Sequence, residues 1–162
     1  MWGNRMRRYE KKEMDFSKTK EKALRLLEFR NHSSGELRKK LKIAGAADED
    51  IERVIEFLVE YNLINDREYA KRLALDLKNL KKFGERRIRS ELLSRGIDSE
   101  FVEEAILELP EFEEDQLLIL VEKRLKGDFE KKNKERVLRY FIGRGYSFDE
   151  IKKTIEKIEG AS

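Results

Sequence analysis

The side chains in this sequence best suited to binding chemistry are runs of cations. Arg38, Lys39 and Lys40 form one cluster, and Lys81, Lys82, Arg86, Arg87 and Arg89 form a second. Such clusters meet phosphate or an acidic protein groove, and on a charge-rich chain they also serve as plain solvated surface. Groups that could catalyse are scarce. There is no Cys, and hence no thiolate nucleophile or thiolate metal site. Neither G-x-x-x-x-G-K-[ST] nor G-x-G-x-x-G occurs. The lone His32 precedes a candidate helix N-cap and reads as structural. Glu36 follows Ser33 at the spacing of a capping box rather than of an acid–base pair. The carboxylates form no pattern that demands a metal. The expectation is a binding protein, not an enzyme, with no cofactor and no metal. Trp2 and Tyr9, in a basic N-terminal arm, could stack on bases or pack on the first unit.

The elements that position these cations repeat three times. Aligning "ELRKKLKIAGAADEDIERVIEFL", "RIRSELLSRGIDSEFVEEAILEL" and "RVLRYFIGRGYSFDEIKKTIEKI" without gaps puts Gly45, Gly96 and Gly145 in one column. Leu37, Ile88 and Val137 share another, as do Leu41, Leu92 and Phe141. After the glycine, Ile51, Val102 and Ile151 align, then Ile55, Ile106 and Ile155, then Leu58, Leu109 and Ile158. The spacing predicts a buried helix stripe, a turn at a left-handed glycine, and a second buried stripe. Ser33, Gly84 and Asn133 share the column where an N-cap is expected. Arg38 and Arg89 also share a column.

A further helix precedes each unit. It carries Ala23, Leu24 and Leu27 in the first, and Leu117, Leu118, Val121 and Leu125 in the third. In the second, Tyr69, Leu73, Leu77 and Leu80 fall on one face, with Asp66 placed to cap it. The predicted fold is all-α: three tandem three-helix repeats in an elongated, curved modular array. The expected boundaries are 18–64, 65–110 and 111–159, after a basic arm at 1–17. Units of this size are marginal alone, so neighbours should stack.

Composition agrees, with 44% charged residues, 39% hydrophobic residues and a single Pro. No apolar run is long enough to span a bilayer, and the N-terminus lacks the apolar region of a secretory signal. A cytoplasmic location is expected. Formal net charge is only +3, but the charge is segmented. From Asp98 to Asp115 there are nine acidic residues and no Lys or Arg. Basic middle helices and acidic third helices would give faces of opposite sign. The first two third helices open "DEDIER" and "DSEFVEE", which would push carboxylates at a polyanion, and the last, "SFDEIKK", is mixed. Major-groove reading by a helix-turn-helix is therefore not expected.

Three stretches resemble the RecX regulatory proteins of bacterial recombination. In "ALRLLEFRNHSSGELRKKL" the similar positions are Ala23, Leu24, Arg30, Ser33, Glu36 and Leu37. In "LINDREYAKRLALDLKNLKKFGERRIRSELLSRGI" they are Leu63, Ile64, Asp66, Tyr69, Ala70, Gly84, Arg87, Ile88, Glu91, Leu92, Gly96 and Ile97. In "KERVLRYFIGRGYSFDEIKKTI" they are Arg144, Gly145, Tyr146 and Ile151. The resemblance covers residues 20–158 and implies a modulator of RecA. Such proteins bind RecA filaments on single-stranded DNA and restrain filament growth, ATP hydrolysis, strand exchange and co-protease activity. It implies no enzyme activity and no cofactor. The expected partners are the RecA nucleoprotein filament and single-stranded DNA, contacted directly but weakly or through RecA, by a monomer. On this reading Arg38, Lys39, Lys40, Lys81, Lys82, Arg86, Arg87 and Arg89 face the filament. The acidic third helix of the second unit meets basic RecA residues or excludes free duplex. A single-stranded DNA-binding repeat protein that competes for DNA is the alternative, and an adaptor for an unrelated protein is a third.

Overall fold

The computed structural model describes residues 14–111 and 114–162, so Trp2 and Tyr9 lie outside the described residues. Among these residues there are nine helices, and β structure is limited to one isolated bridge between Met14 and Ala46. The chain divides between Asn65 and Asp66 into two compact units.

The first unit holds α1 (Phe16–Phe29), α2 (Ser34–Ile43) and α3 (Asp48–Glu60). Asp15 caps α1 by accepting from the Lys18 amide, and Ser33 caps α2 by accepting from the Glu36 amide. The repeat columns supply the core: Leu37, Leu41, Ile51, Ile55 and Leu58 are buried with Ala23 and Val54.

The second unit holds six helices. They are α4 (Asp66–Asn79), α5 (Glu85–Ser94), α6 (Ser99–Leu107), α7 (Glu114–Leu125), α8 (Lys131–Gly143) and α9 (Phe148–Ala161). Two cores form, each on the same columns. One buries Ile88, Leu92, Val102 and Ile106 with Ala70 and Ala74, and Leu109 packs half-buried against it. The other buries Val137, Phe141, Ile151, Ile155 and Ile158 with Leu117, Val121 and Leu125.

All three predicted glycine turns are left-handed, with φ of +100° at Gly45, +71° at Gly96 and +102° at Gly145. The amide after each glycine donates to the carbonyl five residues back: Ala46 to Leu41, Ile97 to Leu92, Tyr146 to Phe141. That is the Schellman pattern, which satisfies a carbonyl the ending helix would leave orphaned.

Three local expectations are corrected. Helix α4 begins at Asp66, which therefore sits in the first turn rather than before it. The helix ends at Asn79, so Leu80 leaves the apolar face and is 75% exposed. Helix α8 begins at Lys131, which places Asn133 inside it rather than at its cap. The buried Asn133 amide instead donates to the carbonyls of Leu125 and Asp128, closing the end of α7. A complete capping box occurs at Ser147 and Glu150, where α9 starts.

Within the second unit, α5 starts against the turn between α8 and α9. The Gly84 amide donates to the Arg144 carbonyl at 2.8 Å, and the Arg86 amide donates to the Gly145 carbonyl at 3.1 Å. Orphan N–H groups of one helix are thus satisfied by the neighbouring repeat's backbone. Contact is too close for side chains: a Cβ on Gly84 would lie 2.5 Å from the Gly145 carbonyl carbon. A Cβ on Gly145 would fall on the Arg87 amide and Cβ. The buried Tyr146 hydroxyl donates to the Lys82 carbonyl at 2.8 Å, and the Arg144 guanidinium donates to the Lys81 carbonyl.

Candidate anion-binding cleft

The eight cations singled out in the sequence fall into different surroundings. Arg38 is bound to Glu52, with Nε 2.8 Å from one carboxylate oxygen. Arg89 repeats that contact one repeat later, bound to Glu103 at 2.7 Å and also to Glu85 at 2.9 Å. Arg38 and Arg89 share a column, and so do Glu52 and Glu103. The repeated arginine is therefore one half of a repeated clasp between the middle and third helices. These hydrogen bonds hold Arg89 well above the usual guanidinium range, and the bond from Arg89 holds Glu103 below the usual carboxylate range. Arg87 pairs with Glu91 at 3.0 Å.

The Lys40 ammonium lies 3.0 Å from His32 Nε2, while His32 Nδ1 lies 2.9 Å from the Arg30 carbonyl. A carbonyl only accepts and an ammonium only donates. His32 is therefore neutral, with its proton on Nδ1. Burial pushes its pKa down, and the Arg30 and Lys40 charges add to that. Lys39 and Arg86 are exposed.

Lys81 and Lys82 lie elsewhere, on one wall of a cleft of about 570 Å³ within the second unit. The other walls come from the end of α7, with Lys123, Arg124 and Lys126, and from α8, with Arg136, Tyr140 and Arg144. Among the described residues, no carboxylate lines it.

Several of these arginines are held by ring faces. Arg124 sits 3.3 Å from the Tyr140 ring centroid, and Arg144 sits 5.5 Å from the same ring. Arg144 is also 4.9 Å from the Phe83 ring, and Arg87 covers that ring at 5.0 Å. The series Arg124, Tyr140, Arg144, Phe83, Arg87 alternates cation and ring across the junction of the second and third repeats. Stacking holds a guanidinium through its face and leaves its N–H edge available. Sequence reasoning found Lys81 and Lys82 but missed the cations on α7 and α8. The run "KRLKGDFEKKNKERVLRYFIGR" was visibly basic; which of its side chains turn to one cleft is settled by packing.

Among the described residues no group of three or more His, Asp or Glu could hold a metal ion. None of their helices is long and apolar enough to cross a membrane.

Comparison with known proteins gives a consistent result. Residues 20–58 match the family model for the RecX first three-helix domain, and residues 65–106 match that for the second. Regulatory protein RecX of Vibrio parahaemolyticus is 37% identical over 145 residues, covering 88% of this chain and 93% of its own. The Thermotoga petrophila protein of that name is 36% identical over 162 residues, covering 98% and 95%. A crystal structure of RecX from Lactobacillus salivarius superimposes with a TM-score of 0.77 at 25% identity, covering 89% of this chain and 96% of that one. By sequence and by fold, this chain belongs to the RecX family of regulatory proteins.

Proposed function

We propose that this protein regulates RecA by binding RecA–single-stranded DNA filaments. In doing so it restrains filament extension, and with it ATP hydrolysis, strand exchange and co-protease activity. The observation that carries this reading is membership of the RecX family over nearly the whole chain. Repetition suits filament binding, because several modest contacts along a helical filament add through effective concentration, beyond what one small core could offer. The chain acts as a monomer in the cytoplasm. Lys39 and Arg86 are exposed contacts for RecA carboxylates or DNA phosphate, with Lys81 and Lys82 in the cleft. Arg38, Lys40, Arg87 and Arg89 contribute through whatever N–H groups their internal partners leave.

The cleft favours one second reading, a protein that binds single-stranded DNA itself and blocks filaments by competition. Both are tested by titrating the protein into RecA ATPase on single-stranded DNA, beside its binding to the same DNA without RecA. Inhibition well below stoichiometric RecA, with weak binding to naked DNA, is expected. Inhibition only at concentrations that coat the DNA would favour the competitor. An unaffected ATPase with a matched RecA would remove the regulatory reading.

A further inference from the structure

We infer that the face between α8 and α9 pairs two copies of this chain about a two-fold axis.

The repeat itself marks this face. In the first two repeats the middle and third helices are clasped by Arg38 with Glu52 and by Arg89 with Glu103. The third repeat replaces both halves of the clasp. Its arginine column holds Leu138, and its glutamate column holds Lys152. Another column changes beside them. Asp48, Ser99 and Phe148 each begin the third helix of their repeat, and only the last is apolar. A polar clasp has thus become an apolar groove of about 220 Å³. Leu138 and Ile155 lie in its floor, and Phe148 stands half-exposed at one end. Continuous apolar surface with a charged rim is what interaction sites present.

The order of charges along the groove selects its occupant. The Lys134–Glu159 pair, at 3.1 Å, sets the start of α8 beside the end of α9, so the two helices run antiparallel. From that end the groove passes Lys131, then Glu135 and Glu156, then Leu138 and Ile155, then Lys152, and last Phe148. Lys131, Glu135 and Glu156 have no ion-pair partner among the described residues. Lys152 lies 6.0 Å from the Phe148 ring centroid.

That order is its own complement when reversed. A two-fold axis through Leu138 and Ile155 sets Lys152 of each copy against Glu135 and Glu156 of the other. It also lays each Phe148 ring over the stem of the other copy's Lys131. Apolar floor then meets apolar floor, ammonium meets carboxylate, ring meets cation, and every contact is made twice. A polyanion or an acidic peptide fits worse. The rim carries three Lys and three Glu, so such a partner would meet carboxylates as often as cations. One ring and one short groove per copy make a small interface. Dilute chains therefore stay the monomers proposed above, and pairs form where copies are concentrated.

The test is sedimentation velocity of the full chain at low salt, from about 10 μM to about 1 mM, the weak end of specific affinity. Wild type should shift towards the dimer as concentration rises. Phe148→Ser, which installs the residue type of the second repeat, should lose the shift while Tm holds. Lys152→Glu sets like charges across the axis, and so does the double variant Glu135→Lys, Glu156→Lys. Each should sediment as a monomer alone. Mixed one to one they should pair again, because both contacts then join opposite charges. A merely structural role for these side chains would not produce that rescue. Wild type that stays monomeric to about 1 mM would overturn the inference and leave the groove to a partner other than this chain. Charge variants that pair as wild type does, or a mixture that stays monomeric, would overturn it too.

Discussion

The turn at Gly45 and the turn at Gly145 occupy the same repeat column and close with the same hydrogen bond. Their surroundings are opposite. Nothing lies within 4 Å of where a Gly45 Cβ would be, whereas a Gly145 Cβ would fall on Arg87. The residue after each glycine differs in the same sense. Ala46 is small, and Tyr146 is buried with its hydroxyl bonded to the Lys82 carbonyl. The N-cap column diverges too. Ser33 caps α2 with its own side chain, while Gly84 has none and lets the backbone of the next repeat satisfy α5. A column kept for local backbone geometry in one repeat thus serves a tertiary joint in another. That joint is what brings Lys81 and Lys82 into the same cleft as Arg136 and Arg144.

The most severe way to break this contrast is alanine at each glycine. Gly45→Ala should cost only the left-handed term, about 1–2 kcal/mol. Gly145→Ala carries that term plus overpacking against backbone, typically about 1–3 kcal/mol more. Denaturant midpoints of the two variants measure the difference. Equal losses would mean that the α5 contact yields freely. Gly84→Ala isolates the overpacking alone, since its φ of −79° suits any L-residue.

The next effect sharpens the contrast through Tyr146. Tyr146→Phe keeps the buried ring and removes the bond to Lys82, for a loss of about 0.5–1.5 kcal/mol. Burial pushes the Tyr146 hydroxyl up to about 12. A folded value above the unfolded one, about 10, means stability fully present below the lower value and lost as pH rises towards the higher. The advantage of wild type over Tyr146→Phe should therefore shrink above pH 10. A gap that stayed constant to pH 11.5 would show that the hydroxyl titrates as it does in the unfolded chain.

The glycine column, the apolar stripes and the three-helix unit were all legible in the sequence, because local backbone and burial impose them on every repeat. Asn133 shows the limit. Its type suits a cap, yet α8 starts earlier and the side chain closes α7, a choice made by tertiary packing rather than by propensity. The binding cations show the same limit on a larger scale. Arg38 and Arg89 recur in one column, which suggests function, yet a recurring Arg–Glu clasp explains that recurrence. Arg136 and Arg144 of the cleft have column mates in Arg87 and Arg95, but the cleft joins segments far apart in sequence, and Lys81 and Arg144 meet across 63 residues.

The clasps give a smaller effect. A double-mutant cycle on Arg38 and Glu52 should return about 0.2–1 kcal/mol, the range of exposed pairs. The corresponding cycle on Arg89 and Glu103 should return a larger coupling, because the Arg89 side chain is less exposed and a second carboxylate, Glu85, orients it. Equal couplings would show that the third partner adds nothing.

The smallest expected effect lies in the first unit, where His32 occupies the column of Phe83. Phe83 packs against the apolar core and has two arginines, Arg87 and Arg144, near its ring face. His32 instead needs a lone pair on Nε2, because Lys40 can only donate to it. A proton on Nε2 would remove that acceptor and set a third cation beside Lys40 and Arg30. The folded pKa is therefore depressed below the unfolded value near 6.5. The sign follows: this contribution is fully present above about pH 6.5 and is lost as pH falls through the lower, folded value. His32→Gln keeps a donor for the Arg30 carbonyl and an acceptor for Lys40, but does not titrate. Measured by amide exchange in α2 from pH 8 to pH 5, wild type should lose protection below about 6.5 relative to the variant. Parallel profiles would mean that protonated His32 is accommodated by the nearby Glu36 carboxylate, and that the column tolerates charge as readily as the ring that replaces it one repeat later.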